Sequence, residues 1–128
     1  MFQASFDHIH LRSVDPDETG RFYVERLGAT LSDRIETADS LRVVVTFPGL
    51  RILIERVPPG TTAGATPPHR GLEHFGLEVS DIEAAVAELM AAGVEFTMPV
   101  TARGPGLRIA FLRGPDDVSI ELLERKPA

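Results

Sequence analysis

Asp7-His8-Ile9-His10-Leu11 is answered 66 positions later by Glu73-His74-Phe75-Gly76-Leu77. Ile54-Glu55 is matched by Ile120-Glu121 at the same offset, and Asp15 by Asp81. In each half the His precedes its Glu by 47 positions (55 − 8 and 121 − 74). Repetition over half the length implies one structural unit encoded twice. A repeated unit that carries one imidazole and one carboxylate points to a four-ligand metal site built from His8, Glu55, His74 and Glu121.

Strand and helix patterns fill in the unit. Phe6 to Val14 alternates, with Ile9 and Leu11 on one face and His8, His10 and Arg12 on the other, as a half-buried strand does. Asp15-Pro16-Asp17-Glu18 starts a helix, with Asp15 as N-cap, Pro16 in the first turn and Glu18 at the capping-box position. Phe22, Tyr23 and Leu27 form its apolar stripe, which makes Tyr23 a core residue, and Gly28 ends it. Strands are expected near 29–36, 41–47 and 51–57, with Phe47-Pro48-Gly49 as a turn.

The second half repeats that order. A strand is expected over Gly71–Val79, a helix capped at Ser80-Asp81-Ile82-Glu83 and ending at Gly93, and strands near 94–100, 107–113 and 117–124. The fold class is therefore α+β: two tandem βαβββ modules, at about 5–57 and 72–125, with helices packed on one sheet face. Pro58 to Gly71 reads as the linker of a single 1–128 domain, and His69 within it as a surface or lid residue.

Parity tests the metal idea. His8 opposes Ile9, Glu55 opposes Ile52 and Ile54, His74 opposes Phe75, and Glu121 opposes Ile120 and Leu122. With the aliphatic faces on the helices, all four candidate ligands point to the other, concave face.

Composition removes several function classes. The 128 residues hold 43% apolar side chains, no cysteine and a net charge of −6. Disulfides and thiol chemistry are excluded, and no basic patch marks a nucleic-acid partner. No apolar run approaches a membrane span and no secretory signal opens the chain, so a cytoplasmic protein is expected.

These residues resemble the vicinal oxygen chelate superfamily, which includes glyoxalase I, methylmalonyl-CoA epimerase, extradiol dioxygenases, and fosfomycin and bleomycin resistance proteins. The likeness is carried by Asp7 to Arg12, Arg21-Phe22-Tyr23, Leu27-Gly28, Gly71 to Val79 and Ile109 to Glu121. It implies an open barrel-like mixed sheet around a metal cleft, with helices outside. It places the ligand positions on His8, Glu55, His74 and Glu121, for one divalent ion of Ni, Co, Fe, Mn or Zn. It further implies a small-molecule substrate, a homodimer, and chemistry through a metal-stabilised enediolate or enolate.

Within the superfamily the ligand set is most similar to glyoxalase I, a lyase, with Glu121 as catalytic base and Glu55 as ligand or second base. Arg12 sits where glyoxalase I binds a glutathione carboxylate. Two departures count against glutathione itself: Pro59 replaces the expected asparagine, and Gly114-Pro115-Asp116-Asp117 replaces the usual last turn. His10, Arg12 and Arg108 are the expected substrate contacts. Three other functions are compatible with the resemblance: a methylmalonyl-CoA-type epimerase, an extradiol dioxygenase, and a non-catalytic protein that binds a drug or intermediate.

Overall fold

Both halves open with a strand that an aspartate stops. In the computed structural model, which describes residues 1–127, β1 (Ile9–Ser13) leads to Asp15, whose carboxylate accepts the Glu18 amide at 3.1 Å and starts α1 (Pro16–Leu27). Pro16 costs no hydrogen bond there, because the first-turn amides have no intrahelical acceptor. Gly28 takes the left-handed conformation (φ 79°), and the amides of Gly28 and Ala29 return to the carbonyls of Val24 and Tyr23.

β2 (Thr30–Glu36), β3 (Leu41–Phe47) and β4 (Leu50–Arg56) complete the first module. The sheet order is β1-β4-β3-β2; β1 runs parallel to β4 and the other pairs are antiparallel. Tyr23 is buried with Val43, Val45, Ile52 and Ile54, as its place in the helix stripe predicted. Gly20 lets α1 approach the sheet closely: a Cβ there would stand 2.9 Å from Val43 Cγ1.

The second module has β5 (Phe75–Glu78), α2 (Ile82–Ala91), β6 (Phe96–Ala102), β7 (Leu107–Arg113) and β8 (Ser119–Arg125), in the order β5-β8-β7-β6. Its core holds Ile82, Leu89, Ile109, Ala110, Leu112, Ile120 and Leu122. Asp81 caps α2 by accepting the Ala84 amide at 3.1 Å.

The βαβββ order holds in both modules, while the boundaries move. The first strand of each is shorter than its alternation suggested, because hydrogen bonding to its neighbour begins only at Ile9 and at Phe75. His8 and His74 thus sit immediately before their strands. Helix α2 stops at Ala91, before Gly93 (φ 86°). Around Pro99, which has no amide proton to give, β6 slips register twice against β7.

The eight strands form two four-stranded mixed sheets, one per module, with no closed barrel among the described residues. The chain divides into two compact units, Met1–Thr62 and Ala63 onward, with the boundary inside the stretch read as linker. No helix among the described residues is long and apolar enough to cross a membrane.

Candidate functional site

In the second module the expected pair meets. β5 and β8 lie side by side, with Gly76 level with Glu121 and His74 two residues behind that level. His74 Nε2 stands 3.2 Å from Glu121 Oε1, and the other ring nitrogen, Nδ1, is held by the carboxylate of Glu73. Gly76 leaves the space over this pair open: a Cβ there would stand 3.5 Å from Glu121 Oε1 and 2.8 Å from Leu123 Cδ1. Phe111, opposite Glu121 on β7, closes the other side and meets the His74 ring edge-on at 4.9 Å.

Electrostatics at His74 run in two directions. Burial pushes the imidazole down, and the carboxylates of Glu73 and Glu121 outweigh it, so the ring holds its proton above its ordinary pKa. A carboxylate on each nitrogen also fixes the ring plane, as an outer carboxylate does for metal-binding histidines.

The first module is built differently. Glu55 is level with Arg12, so His10 stands two residues behind Glu55 and His8 four. Glu55 Oε1 lies 2.9 Å from His10 Nε2, and Oε2 is 3.8 Å from the Arg42 guanidinium. His8 turns its Nδ1 to Asp7 at 2.6 Å, and Asp7 also faces Arg51. Both contacts hold the exposed Asp7 carboxyl below its usual range, the His8 hydrogen bond more than the Arg51 charge. The first-module hydrogen-bonded pair is therefore His10–Glu55, where the sequence repeat suggested His8–Glu55.

Among the described residues no three His, Cys, Asp or Glu side chains are grouped to hold a metal ion. The first module holds two imidazole–carboxylate pairs, His8–Asp7 and His10–Glu55, and the second holds His74 between Glu73 and Glu121.

Arg108 is engaged by the fold. Its Nε and an Nη donate to Glu124 Oε1 at 3.1 and 2.9 Å, and its other Nη donates to Glu83 at 2.9 Å. Arg12 lies on the Glu55 face at the same level as that carboxylate. His69 contacts the neighbouring Arg70 carbonyl in the linker.

Sequence reading missed Arg42, Phe111 and Glu124. Arg42 and Phe111 were legible only as members of alternating strands, and their places opposite Glu55 and Glu121 depend on hairpin register. Glu124 could have been found, since it shares parity with the aliphatic Ile120 and Leu122 and is the one charged residue on that buried face of β8.

A sequence model of the glyoxalase/bleomycin resistance protein/dioxygenase superfamily matches residues 5–122. The chain belongs to that superfamily. It is 32% identical to "Glyoxalase I" of Saccharomyces cerevisiae over 143 aligned positions, which take in 91% of this chain and 44% of the yeast protein. The chain thus spans less than half the length of that relative.

Solved members of the superfamily share the fold along nearly the whole chain. A glyoxalase family protein from Bacillus cereus aligns with a TM-score of 0.83 at 21% identity, covering 99% of this chain and 97% of its own. One from Enterococcus faecalis gives 0.79 at 24%, covering 97% and 100%. The fosfomycin resistance protein FosX of Listeria monocytogenes gives 0.72 at 21%, covering 95% and 93%.

Proposed function

We propose that the chain is a metal-dependent enzyme of the glyoxalase type, a lyase or isomerase acting on a small molecule with two adjacent oxygens. The observation that carries this reading is the His74–Glu121 pair. Its nitrogen and oxygen are 3.2 Å apart, about the separation of two donors on one ion with bonds of ~2.0–2.2 Å. Gly76 keeps the approach open. Imidazole and carboxylate suit a divalent first-row cation such as Ni, Co, Fe, Mn or Zn.

His74 and Glu121 would hold the cation in the second module, and the sequence repeat nominates His8 and Glu55 as the corresponding first-module donors. When bound, the ion supplies Lewis acidity that favours negative charge on a substrate oxygen. Glu121 takes the proton from the carbon beside the substrate carbonyl and returns it to the neighbouring carbon. Phe111 limits water on one side of that transfer, and Glu73 keeps His74 oriented while the carboxylate works. Glu55, flanked by His10 and Arg42, orients rather than shuttles the proton. A homodimer is the assembly that goes with this reading, and the cytoplasm its compartment.

The similarity to the yeast protein supports the lyase reading over the epimerase. The deciding experiment is metal content by elemental analysis of untagged wild type and His74→Ala, then turnover of 2-oxoaldehydes with a panel of thiols. About one metal per chain, absent from the variant, with turnover abolished by chelation, is the expected result. Proton exchange in heavy water on acyl-CoA substrates alone would replace this reading with the epimerase. A chain that takes up none of Ni, Co, Fe, Mn or Zn would leave a binding protein.

A further inference from the structure

Among the described residues of the second module's sheet, the arginines of β7 and β8 all have carboxylate partners. Arg108 is taken by Glu124 and Glu83, Arg113 by Glu95 and Asp117, and Arg125 by Glu78. Arg103, just past the end of β6, forms no ion pair with a described residue. Its Nη2 donates to the Met98 sulfur at 3.9 Å. Parity puts this side chain on the face of the His74–Glu121 pair. Ala102 is level with Arg108, which reaches to Glu83 of α2, so Ala102 faces the helix. Arg103, one residue on, faces the other way. Its amide donates to the carbonyl of Leu107, which is level with Arg125, and Arg125 shares parity with Glu121. The Lys126 amide holds the Gly106 carbonyl at 2.7 Å, which ties down the turn that carries Arg103.

The row through Glu121 runs Gly76, Glu121, Phe111 and Met98 across the four strands. Met98 is two strands from Glu121, about 9.6 Å between backbones, and Phe111 fills the step between them. The Arg103 backbone lies at the Leu107 level, four residues or about 13 Å along the sheet from the Phe111 level. Its side chain turns back from there to the Met98 sulfur. One side of this face thus carries the His74–Glu121 pair, its middle an aromatic ring, and its far side an unpaired fork of N–H donors. Such a fork receives a carboxylate or a phosphate through paired, charge-assisted hydrogen bonds. In a chain of net charge −6, a local cation without a counter-charge is what would draw an anion to this face.

We infer that Arg103 binds substrate: it receives a carboxylate or phosphate carried at the end of the substrate remote from the two adjacent oxygens. The inference rests on the function proposed above, which puts the reacting end at Glu121, and deepens it by naming the substrate class. That class is an elongated acid, with the adjacent oxygens at one end, an apolar spacer lying over Phe111 and Met98, and an anion at the other. Arg103 then fills the role that the sequence suggested for Arg108.

The test is isothermal titration of the full chain, with and without Zn²⁺, using three stable probes with adjacent oxygens: mandelate, 4-carboxymandelate and 4-phosphonomandelate. Wild type should bind at least one of the two para-anionic probes about tenfold or more tighter than mandelate, as a charge-assisted hydrogen bond gives. Whichever of them binds tighter names the anion. Arg103→Gln should erase that preference and leave mandelate affinity within about twofold, and Arg103→Lys should restore part of it. Circular dichroism verifies that the variants fold. Equal affinities in wild type, no binding of any probe, or a preference kept in Arg103→Gln overturns the inference. The metal-dependent reading is scored separately, by whether Zn²⁺ is taken up and raises mandelate affinity. Zn²⁺ uptake without the anion preference sinks the inference alone, and the preference without Zn²⁺ uptake sinks the metal-dependent reading alone.

Discussion

Glu124 Oε2 accepts the backbone amide of Ile82 at 2.9 Å, tying the last strand to the first turn of α2. The corresponding first-module helix needs no such acceptor, because Pro16 stands at that position and has no amide proton. Where the second module has Ile82 in place of a proline, a buried carboxylate accepts the extra donor. The Ile82 amide first, and the Arg108 guanidinium second, hold the Glu124 carboxyl below the usual carboxylate range. A depressed folded pKa stabilises the protein above the unfolded value, and that stability is lost as pH falls through the folded one. Glu124→Gln should therefore lower Tm by several degrees at pH 7, with the gap to wild type closing below about pH 4. Thermal unfolding followed by circular dichroism from pH 3 to 7 checks it, and a pH-independent gap would contradict the linkage.

Arg108 was expected to contact substrate, yet its three donor nitrogens serve Glu124 and Glu83. Removing it leaves the buried Glu124 charge without its strongest side-chain partner. Arg108→Ala should cost stability, seen as a lower urea midpoint, while KM for the substrate found by the turnover screen changes less than about threefold. A large rise in KM in a variant of unchanged stability would return Arg108 to the binding site.

Gly20 sits where α1 crosses β3, and a methyl group there would meet Val43 Cγ1 at 2.9 Å. Val43 is β-branched and packed in the core, so it has little rotamer freedom with which to yield. The overpacking cost, about 1–3 kcal/mol, exceeds the gain of about 1 kcal/mol from replacing a mid-helix glycine. Gly20→Ala is therefore expected to destabilise by roughly 1 kcal/mol on balance. Denaturant unfolding measures it directly, and a stabilised variant would mean that the helix is free to lift.

The two carboxylates should separate kinetically. Glu121 has Phe111 and the open side of Gly76 about it, whereas Glu55 has His10 and Arg42. Loss of a general base costs about 10²–10⁴ in rate. Glu121→Gln should lower kcat within that range even with metal supplied in excess. Glu55→Gln should act mainly through weaker metal uptake, so excess metal restores its kcat. Equal, metal-independent losses in both variants would show that the carboxylates share the proton transfer.

Metal uptake should weaken on acidification, because the ion must displace the proton that Glu73 and Glu121 stabilise on His74. A raised imidazole pKa keeps the proton bound to higher pH, so affinity falls as pH drops through it, by about tenfold per unit for one displaced proton. Isothermal titration with Zn²⁺ at several pH values gives the slope, and a flat profile would remove His74 from the ligand set.

The sequence by itself determined the module and its duplication. Alternating strands, Asp15 and Asp81 as caps, and Gly28 as helix end are local signals, read over a few residues by backbone sterics and capping. Parity also put His8, Glu55, His74 and Glu121 on the polar faces opposite their aliphatic neighbours, since the period of a strand is two wherever it lies. The height of one strand against its neighbour was not legible. Sliding β1 by two residues along β4 preserves every inward and outward choice, so no hydrophobic pattern records it. Only the packed sheet fixed that register, and with it the pairing of Glu55 with His10 and Arg42 and of Glu121 with His74 and Phe111. Glu124 and Arg108 follow the same logic: their charges are plain in the sequence, but the β7–β8 register brings them level with each other and α2 on the sheet brings Ile82 and Glu83 to them.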